Sequence, residues 1–339
     1  MTLTTDLITT VGEHTLPATG GVIGELGAFA SKTLRAFGNS IADFLGDIVG
    51  LEPVLLQLLV FAILLGTVFG LAGLGLTLIF GVMDVINFAH GMLLVLGMYA
   101  VWGISTTFGI NPLLLVPVAF VLVFILGVLM SVTTIEPIME EPMQNQFIVT
   151  LGWVFILLAG VQILFRPRPR SLETPWGNLG FFGASVPIAQ LLALIITVVT
   201  LVLFWVFLYR TELGMAIRAT ADNRDGAWTV GITVPKIDHI TFGIGCGLAA
   251  LAGAAIVLFS PFDPFLGESY LVRAFVIVIL GGLGSIPGAL IGGMIVGFIE
   301  VFGAFYLPGT THEFLIFLLF FLVLLVKPTG LLGDKEVEV

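Results

Sequence analysis

The chain has 339 residues and a formal net charge of −10, and 58% of its residues are hydrophobic while only 10% are charged. A soluble globular chain carries roughly a quarter charged residues, so this composition, with a mean hydropathy of +1.16, indicates a membrane protein. The acidic excess reflects either acidic tails or a chain that works in high salt, where like charges are screened, and we favour high salt.

The first fifty residues differ from the rest. Residues 1–21 are polar and lack the basic start and apolar core of a signal peptide. Over residues 22–49, apolar side chains recur every three or four positions, with polar side chains between them. This pattern predicts an amphipathic helix that lies on the membrane surface or packs against a partner subunit. We therefore expect an N-terminal extension over residues 1–50 and a membrane domain over residues 51–339.

The membrane domain divides into apolar runs near the ~20 residues that a helix needs to cross a bilayer. The alternating pattern of a membrane β-barrel is absent from these runs. We predict an all-α polytopic membrane protein with about eight transmembrane helices. The runs are Pro53–Ala72, Leu74–Val85, Met92–Phe108, Pro112–Met130, Gln146–Phe165, Pro187–Tyr209, Ile240–Phe259, Leu271–Val301 and Phe314–Val326.

A polar cluster interrupts the first half of this domain. Asp84, Asn87 and His90 lie within the apolar, glycine-spaced stretch Gly73–Gly97. Polar groups at membrane depth are costly unless they face a water-filled cavity or have partners. We predict a transport path lined by Asn87, His90 and Gly91. The alternatives are structural: His90 caps a helix or bonds a carbonyl, Asn87 bridges backbone freed at a helix break, and Asp84 lies solvated near the surface.

The second half contains a similar interruption. Leu271–Val301 is long for one helix and short for two, and its middle holds several glycines and a proline. These residues break helices and free backbone groups that only a protein-lined cavity satisfies. We predict an interrupted or re-entrant segment, with Gly282, Gly284 and Ser285 on the path. Interruptions in both halves are typical of a path between repeats, whereas simple close packing of the glycines is the alternative.

Basic residues in Arg210–Asp238 and in the C-terminal tail favour a cytoplasmic position for both. Arg166, Arg168 and Arg170 then fall outside, so the middle loops are nearly balanced, and the tail and the resemblance described below decide the side. An even number of membrane crossings must then separate Arg210–Asp238 from the tail. Only three apolar runs lie between them, so the interrupted segment must contribute the additional crossing. The loop also mixes charged with small residues over Glu212–Asp222. We predict a short cytoplasmic helix there that inserts into a partner and transmits rigid-body motion, as opposed to a solvated connector.

Four motifs in order carry a family resemblance: INFAHG at Ile86–Gly91, RTELGMAIRA at Arg210–Ala219, LGGLGSIPGALIGG at Leu280–Gly293 and PTGLLG at Pro328–Gly333. From about Pro53 onward the chain resembles the branched-chain amino acid ABC transporter permease family, specifically its LivH-type subunit. The resemblance implies a multi-pass subunit of the cell membrane. It also implies a second, LivM-like permease, two cytoplasmic ATPase subunits and an extracytoplasmic solute-binding protein as partners.

Within this resemblance, Glu212, Gly214, Arg218 and Asp222 become the predicted ATPase contacts. The sequence contains no G-x-x-x-x-G-K-[ST] phosphate loop, so ATP is expected on partner subunits. We expect a transport subunit, not an enzyme, with no catalytic residue, cofactor or metal in this chain and no nucleic-acid partner.

Two departures bear on the solute. Met92 stands where the family usually has an acidic residue, and the segment Glu136–Glu141, which contains three glutamates, stands where a basic patch is usual. Branched-chain amino acids are the expected solutes, with urea or short amides as the alternative. A self-sufficient channel or secondary transporter that uses His90 as a gate is the alternative of a different class.

Overall fold

The structure is a computed structural model that describes residues 53–139, 141–181 and 183–333, together with five helical residues between Arg35 and Asp47. Apart from those five, the predicted amphipathic helix over residues 22–49 lies outside the described residues. The domain boundary at residue 50 therefore stays a prediction.

Eleven α-helices and one two-stranded hairpin make up the described part of the chain. A π-helical turn at Ser131–Ile135 and a 3₁₀ turn at Glu136–Ile138 prolong α3. The elements are α1 Pro53–Met83, α2 His90–Phe108, α3 Pro112–Met130, α4 Met143–Phe165, β1 Asn178–Phe181, β2 Ala184–Pro187, α5 Ile188–Arg210, α6 Glu212–Asp222, α7 Arg224–Thr229, α8 Val234–Ile256, α9 Leu266–Gly281, α10 Ile286–Tyr306 and α11 Thr311–Val326.

Among the described residues, seven helices are long and apolar enough to cross a membrane, and α11 is a shorter apolar helix. Helix α9, which lies between α8 and α10 in the chain, has 16 residues. The prediction of an all-α polytopic membrane protein is confirmed. The antiparallel β1–β2 hairpin lies within the loop between α4 and α5.

The division of the first apolar stretch into Pro53–Ala72 and Leu74–Val85 was wrong. Helix α1 is continuous over 31 residues, which corresponds to ~46 Å. Its glycines serve close packing: a Cβ at Gly75 would lie 2.5 Å from the carbonyl oxygen of Gly245 in α8. Because a neighbouring helix packs against the backbone at these glycines and no proline lies near them, the α-helix continues through them unbroken.

Helix α8 forms the centre of the bundle, with 83% of its apolar window buried. It packs against α1, α2, α3 and α5. Helix α10 runs antiparallel to α1, and the two backbones approach where Gly66 and Gly70 meet Gly293 and Gly297. Small residues four positions apart allow the close contact that stabilises helix pairs in lipid.

The helix ends define two ends of the bundle. The inner end contains the last turn of α1, the first turn of α8, helices α6 and α7, and the turn between α9 and α10. The outer end contains the loop after α4, where Arg170 pairs with Phe262 in an isolated β-bridge. Four helices, α8 to α11, separate the Arg210–Asp238 segment from the tail, which is the even number that the parity argument requires.

Candidate transport site at the helix breaks

The first helix break covers residues 84–89, between α1 and α2. Asp84 ends α1 with a φ of 55°, a left-handed conformation that Asp tolerates better than most residues. Its side chain is exposed, so the solvated alternative describes it correctly. The chain then turns back into the bundle, where Val85 is fully buried.

Asn87 holds the start of α2. It is fully buried, and its Oδ1 accepts a hydrogen bond from the backbone N–H of Ala89 at 3.0 Å. Its Nδ2 lies 3.9 Å from Sγ of Cys246 in α8. The amide thus binds a backbone donor that the helix break leaves free, as the structural alternative describes.

His90 bridges α2 to the middle of α1. Its Nε2 lies 2.8 Å from the carbonyl oxygen of Ala72, and because a carbonyl only accepts, Nε2 carries the proton. Nδ1 is buried with no hydrogen-bond partner. Next to it, a Cβ at Gly91 would overlap the carbonyl of Gly267 in α9. All three predicted path residues contact neighbouring helices in this conformation, and their role in the path stays a prediction.

The second break covers residues 282–285, between α9 and α10. Gly282 and Gly284 have φ values of 109° and 78°, which favour glycine. Ser285 caps α10 because its Oγ accepts a hydrogen bond from the N–H of Gly288 at 3.2 Å. Gly282 is buried, Ser285 is half-buried, and Leu283 and Gly284 are exposed. The break is therefore a tight turn at the inner end, and its place on the path stays a prediction.

The C-terminal motif has a structural role that the sequence did not reveal. The N–H groups of Leu331 and Leu332 donate to the carbonyls of Leu280 and Gly281 at 2.8 and 2.9 Å. These carbonyls end α9 and have no acceptor role inside that helix. Gly330 enters this contact with a φ of 80°. The tail therefore seals the polar end of the interrupted helix.

The two breaks are neighbours in space. A Cβ at Gly81, in the last turn of α1, would lie 3.1 Å from the Cα of Gly284. Since Asp84 follows one turn later, the turn between α9 and α10 lies beside the start of the first break. The structure thus brings the two interrupted halves together at the inner end.

Helix α6 has the bounds predicted for it, Glu212–Asp222. Glu212 and Asp222 are exposed, whereas Gly214 is buried by the last turn of α5. The guanidinium of Arg218 lies 4.4 Å from the ring centroid of Tyr209, which fixes α6 on α5. The ATPase contacts assigned to these residues stay a prediction, and the structure gives Gly214 a packing role.

Arg224, one of the basic residues of the Arg210–Asp238 segment, forms three hydrogen bonds at the inner end. Its guanidinium donates to both carboxylate oxygens of Asp238, at 3.1 and 2.7 Å, and to the carbonyl oxygen of Val82 at 2.7 Å. We call these three bonds the Arg224 clamp. The clamp joins α7 to the first turn of α8 and to α1 two residues before Asp84.

The inner end also contains a polar cleft of about 670 Å³ beside the first break. Asp84, Glu136, Glu141, Arg224 and Asp238 contribute charged groups to its wall. Among the described residues, no group of three or more His, Cys, Asp or Glu side chains is arranged to hold a metal ion.

Glu300, near the outer end of α10, forms an ion pair with a neighbouring helix. Its carboxylate accepts from Arg273 in α9 at 2.8 and 3.3 Å, and both side chains are at most 20% exposed. Burial requires such pairing, because an isolated charge away from water is costly. The sequence contained a weak signal, an arginine and a glutamate within the same apolar run, Leu271–Val301.

A polytopic helical bundle with interrupted helices in both halves is typical of membrane transport proteins. The family model described as "Branched-chain amino acid transport system / permease component" matches residues 58–324, and the chain belongs to this family. Its members are permeases of ABC importers, so this chain is a multi-pass protein of the cell membrane and works with further importer components. It is not an enzyme.

Individual relatives agree with this assignment. The chain is 32% identical over 304 residues to the high-affinity branched-chain amino acid transport system permease protein LivH of Salmonella typhimurium, covering 84% of this chain and 97% of that protein. It is 30% identical to the corresponding protein BraD of Pseudomonas aeruginosa, with the same coverage. It is also 30% identical to the ribose import permease protein RbsC of Escherichia coli, over 56% of this chain and 61% of that protein. No solved structure matches the chain.

Proposed function

We propose that this chain is the LivH-type permease of an ATP-driven importer for branched-chain amino acids. Its partners are a second permease, two cytoplasmic ATPase subunits and an extracytoplasmic solute-binding protein. The names of the LivH and BraD relatives support the solute class. The RbsC relative is matched over a smaller part of its length.

The observation that carries the mechanism is the Arg224 clamp. Helices α6 and α7 expose Glu212, Met215 and Trp228 to a partner at the inner end. A push on these helices reaches Asp238 through a bidentate contact of the guanidinium and Val82 through one further hydrogen bond. A bidentate contact fixes the orientation of its partners as well as adding energy. The motion therefore arrives at the helix break that contains Asn87.

Movement at this break changes access to the path. Helices α1 and α8 contact each other through Gly75 and Gly245, so a shift of either slides one backbone along the other. Such small sliding of packed helices is a common way to convert a local push into domain rearrangement. We infer that nucleotide-driven motion of the ATPases opens and closes the bundle by this route.

The test is uptake of radiolabelled leucine by vesicles that contain the complete importer. We expect accumulation against a gradient that requires ATP, the solute-binding protein and both ATPases. Vesicles that lack the ATPases are the control. ATP-independent accumulation by this chain alone would instead establish a self-sufficient transporter, and preferential uptake of urea or acetamide would establish the amide alternative.

A further inference from the structure

Two pockets of different character meet at Gln146, near the start of α4. One is the polar cleft at the inner end. The other is an apolar pocket of about 280 Å³, lined by Ile86, Phe88, Met143, Gln144, Gln146 and Phe147. Gln146 lines both. The pair lies against the first helix break, because Asp84 lines one pocket and Ile86 and Phe88 line the other.

The apolar pocket has the character of a side-chain binding site. Phe88 packs edge-on against Phe147, with ring centroids 4.6 Å apart, and lies 5.1 Å from Phe275 in α9. Such aromatic contacts make a defined wall. The pocket volume greatly exceeds the ~30 Å³ of one liquid water molecule, so an aliphatic side chain of several carbons fits and gains from burial there.

The polar cleft favours a cationic group. Asp238 is matched by Arg224 at 2.7 Å, and Glu136 lies 3.5 Å from Nε2 of His239. Asp84 and Glu141 add further negative charge to the wall. A clustered excess of one charge in a cleft attracts small ions of the opposite charge. The Arg224 side chain is 36% exposed, and the N–H groups that the Arg224 clamp does not use can pair with a carboxylate.

Gln146 supplies an acceptor between the two pockets. It is 8% exposed, and its Oε1 is buried with no hydrogen-bond partner. Its Nε2 makes only long contacts, 3.4 and 3.5 Å, to the carbonyls of Met139 and Glu141. An unsatisfied buried acceptor costs free energy that a donor from a ligand would recover.

We propose that these pockets form one inward-facing binding site for an α-amino acid with an aliphatic side chain. The side chain occupies the pocket at Phe88 and Met143, and the ammonium group donates to Oε1 of Gln146 and faces the cleft carboxylates. The carboxylate of the amino acid points toward Arg224. This inference rests on the proposed function and places the solute beside the first break just before its release.

The test uses the assembled permease and ATPase complex, without ATP or solute-binding protein, and measures equilibrium binding of radiolabelled leucine. We expect saturable binding that Gln146→Leu weakens about tenfold or more, because one hydrogen bond to a charged donor is lost. Gln162→Leu, the same change near the other end of α4, is the control. 4-Methylpentanoate, which lacks the ammonium group, should compete poorly.

A second variant tests the apolar half. Met143 is 55% exposed, so Met143→Trp can fill the pocket without disturbing the core, and it should weaken leucine binding to a similar degree. The proposed site is overturned if either variant binds leucine with wild-type affinity. It is also overturned if the complex binds no leucine but still imports it with ATP. In both cases the proposed function stands. A complex that imports no leucine overturns both.

Discussion

Replacing Arg224 with methionine tests whether the Arg224 clamp only stabilises the fold or also couples ATP hydrolysis to transport. The variant keeps an unbranched side chain in place of the apolar stem of the arginine but removes all three bonds of the Arg224 clamp. Breaking a buried ion pair from one side costs about 3–5 kcal/mol, because the remaining charge is left unpaired. The Asp238 side chain is 3% exposed but that of Arg224 is 36% exposed, so screening by solvent reduces the expected loss to about 2–3 kcal/mol.

The assay compares thermal unfolding of the purified complex with the number of ATP molecules hydrolysed for each leucine imported. We expect Arg224→Met to lower the unfolding temperature and to raise the ATP cost of transport several-fold. Lys236→Met is the matched control, since it removes an exposed positive charge in the first turn of α8.

A double variant, Arg224→Met with Asp238→Leu, removes both charges. Because no charge is left unpaired, most of the stability should return. The ATP cost should stay high, since α7 remains disconnected from α1. If the double variant transports with wild-type coupling, or if Arg224→Met matches Lys236→Met in both measurements, the clamp is not the mechanical link.

Three further outcomes are expected. Asn87→Leu should lower the stability of the fold by about 0.5–1.5 kcal/mol and reduce leucine uptake, while size-exclusion chromatography should still show an assembled complex. Normal uptake would show that Asn87 has no part in transport. Gly293→Ala should disrupt assembly because its Cβ overlaps the backbone of Gly70, whereas Gly152→Ala, with nothing within 4 Å, should not; equal assembly would contradict the packing at α1 and α10. Leu283→Cys should react with aqueous thiol reagents because this position is exposed, while the wild-type chain, whose Cys246 is buried, stays unlabelled; an inert Leu283→Cys would contradict the exposed turn.

The positions of the helix breaks show how well a local sequence pattern predicts where a helix ends. Gly281–Gly288 was predicted as an interruption, and Gly282 and Gly284 adopt the left-handed conformations that glycine permits. The division of the first apolar stretch at Gly73 did not occur, because α1 continues to Met83, whereas the interruption predicted at the polar cluster lies at residues 84–89. The segments at Gly73 and at Gly281–Gly288 are both rich in glycine. They differ because Pro287 follows the glycines of one, whereas a neighbouring helix packs against the backbone of the other. A glycine pattern therefore predicts a break only together with a residue that forbids the helix.

Composition and motif order by themselves determined the membrane setting, the all-α class, the family resemblance and the bounds of α6, because hydropathy and helix signals are local properties. Tertiary structure alone decided that Arg224 pairs with Asp238 and Val82, that Glu300 pairs with Arg273, and that the tail caps α9. These contacts join residues far apart in the chain, and each exists because a buried polar group must find a partner wherever the fold brings one.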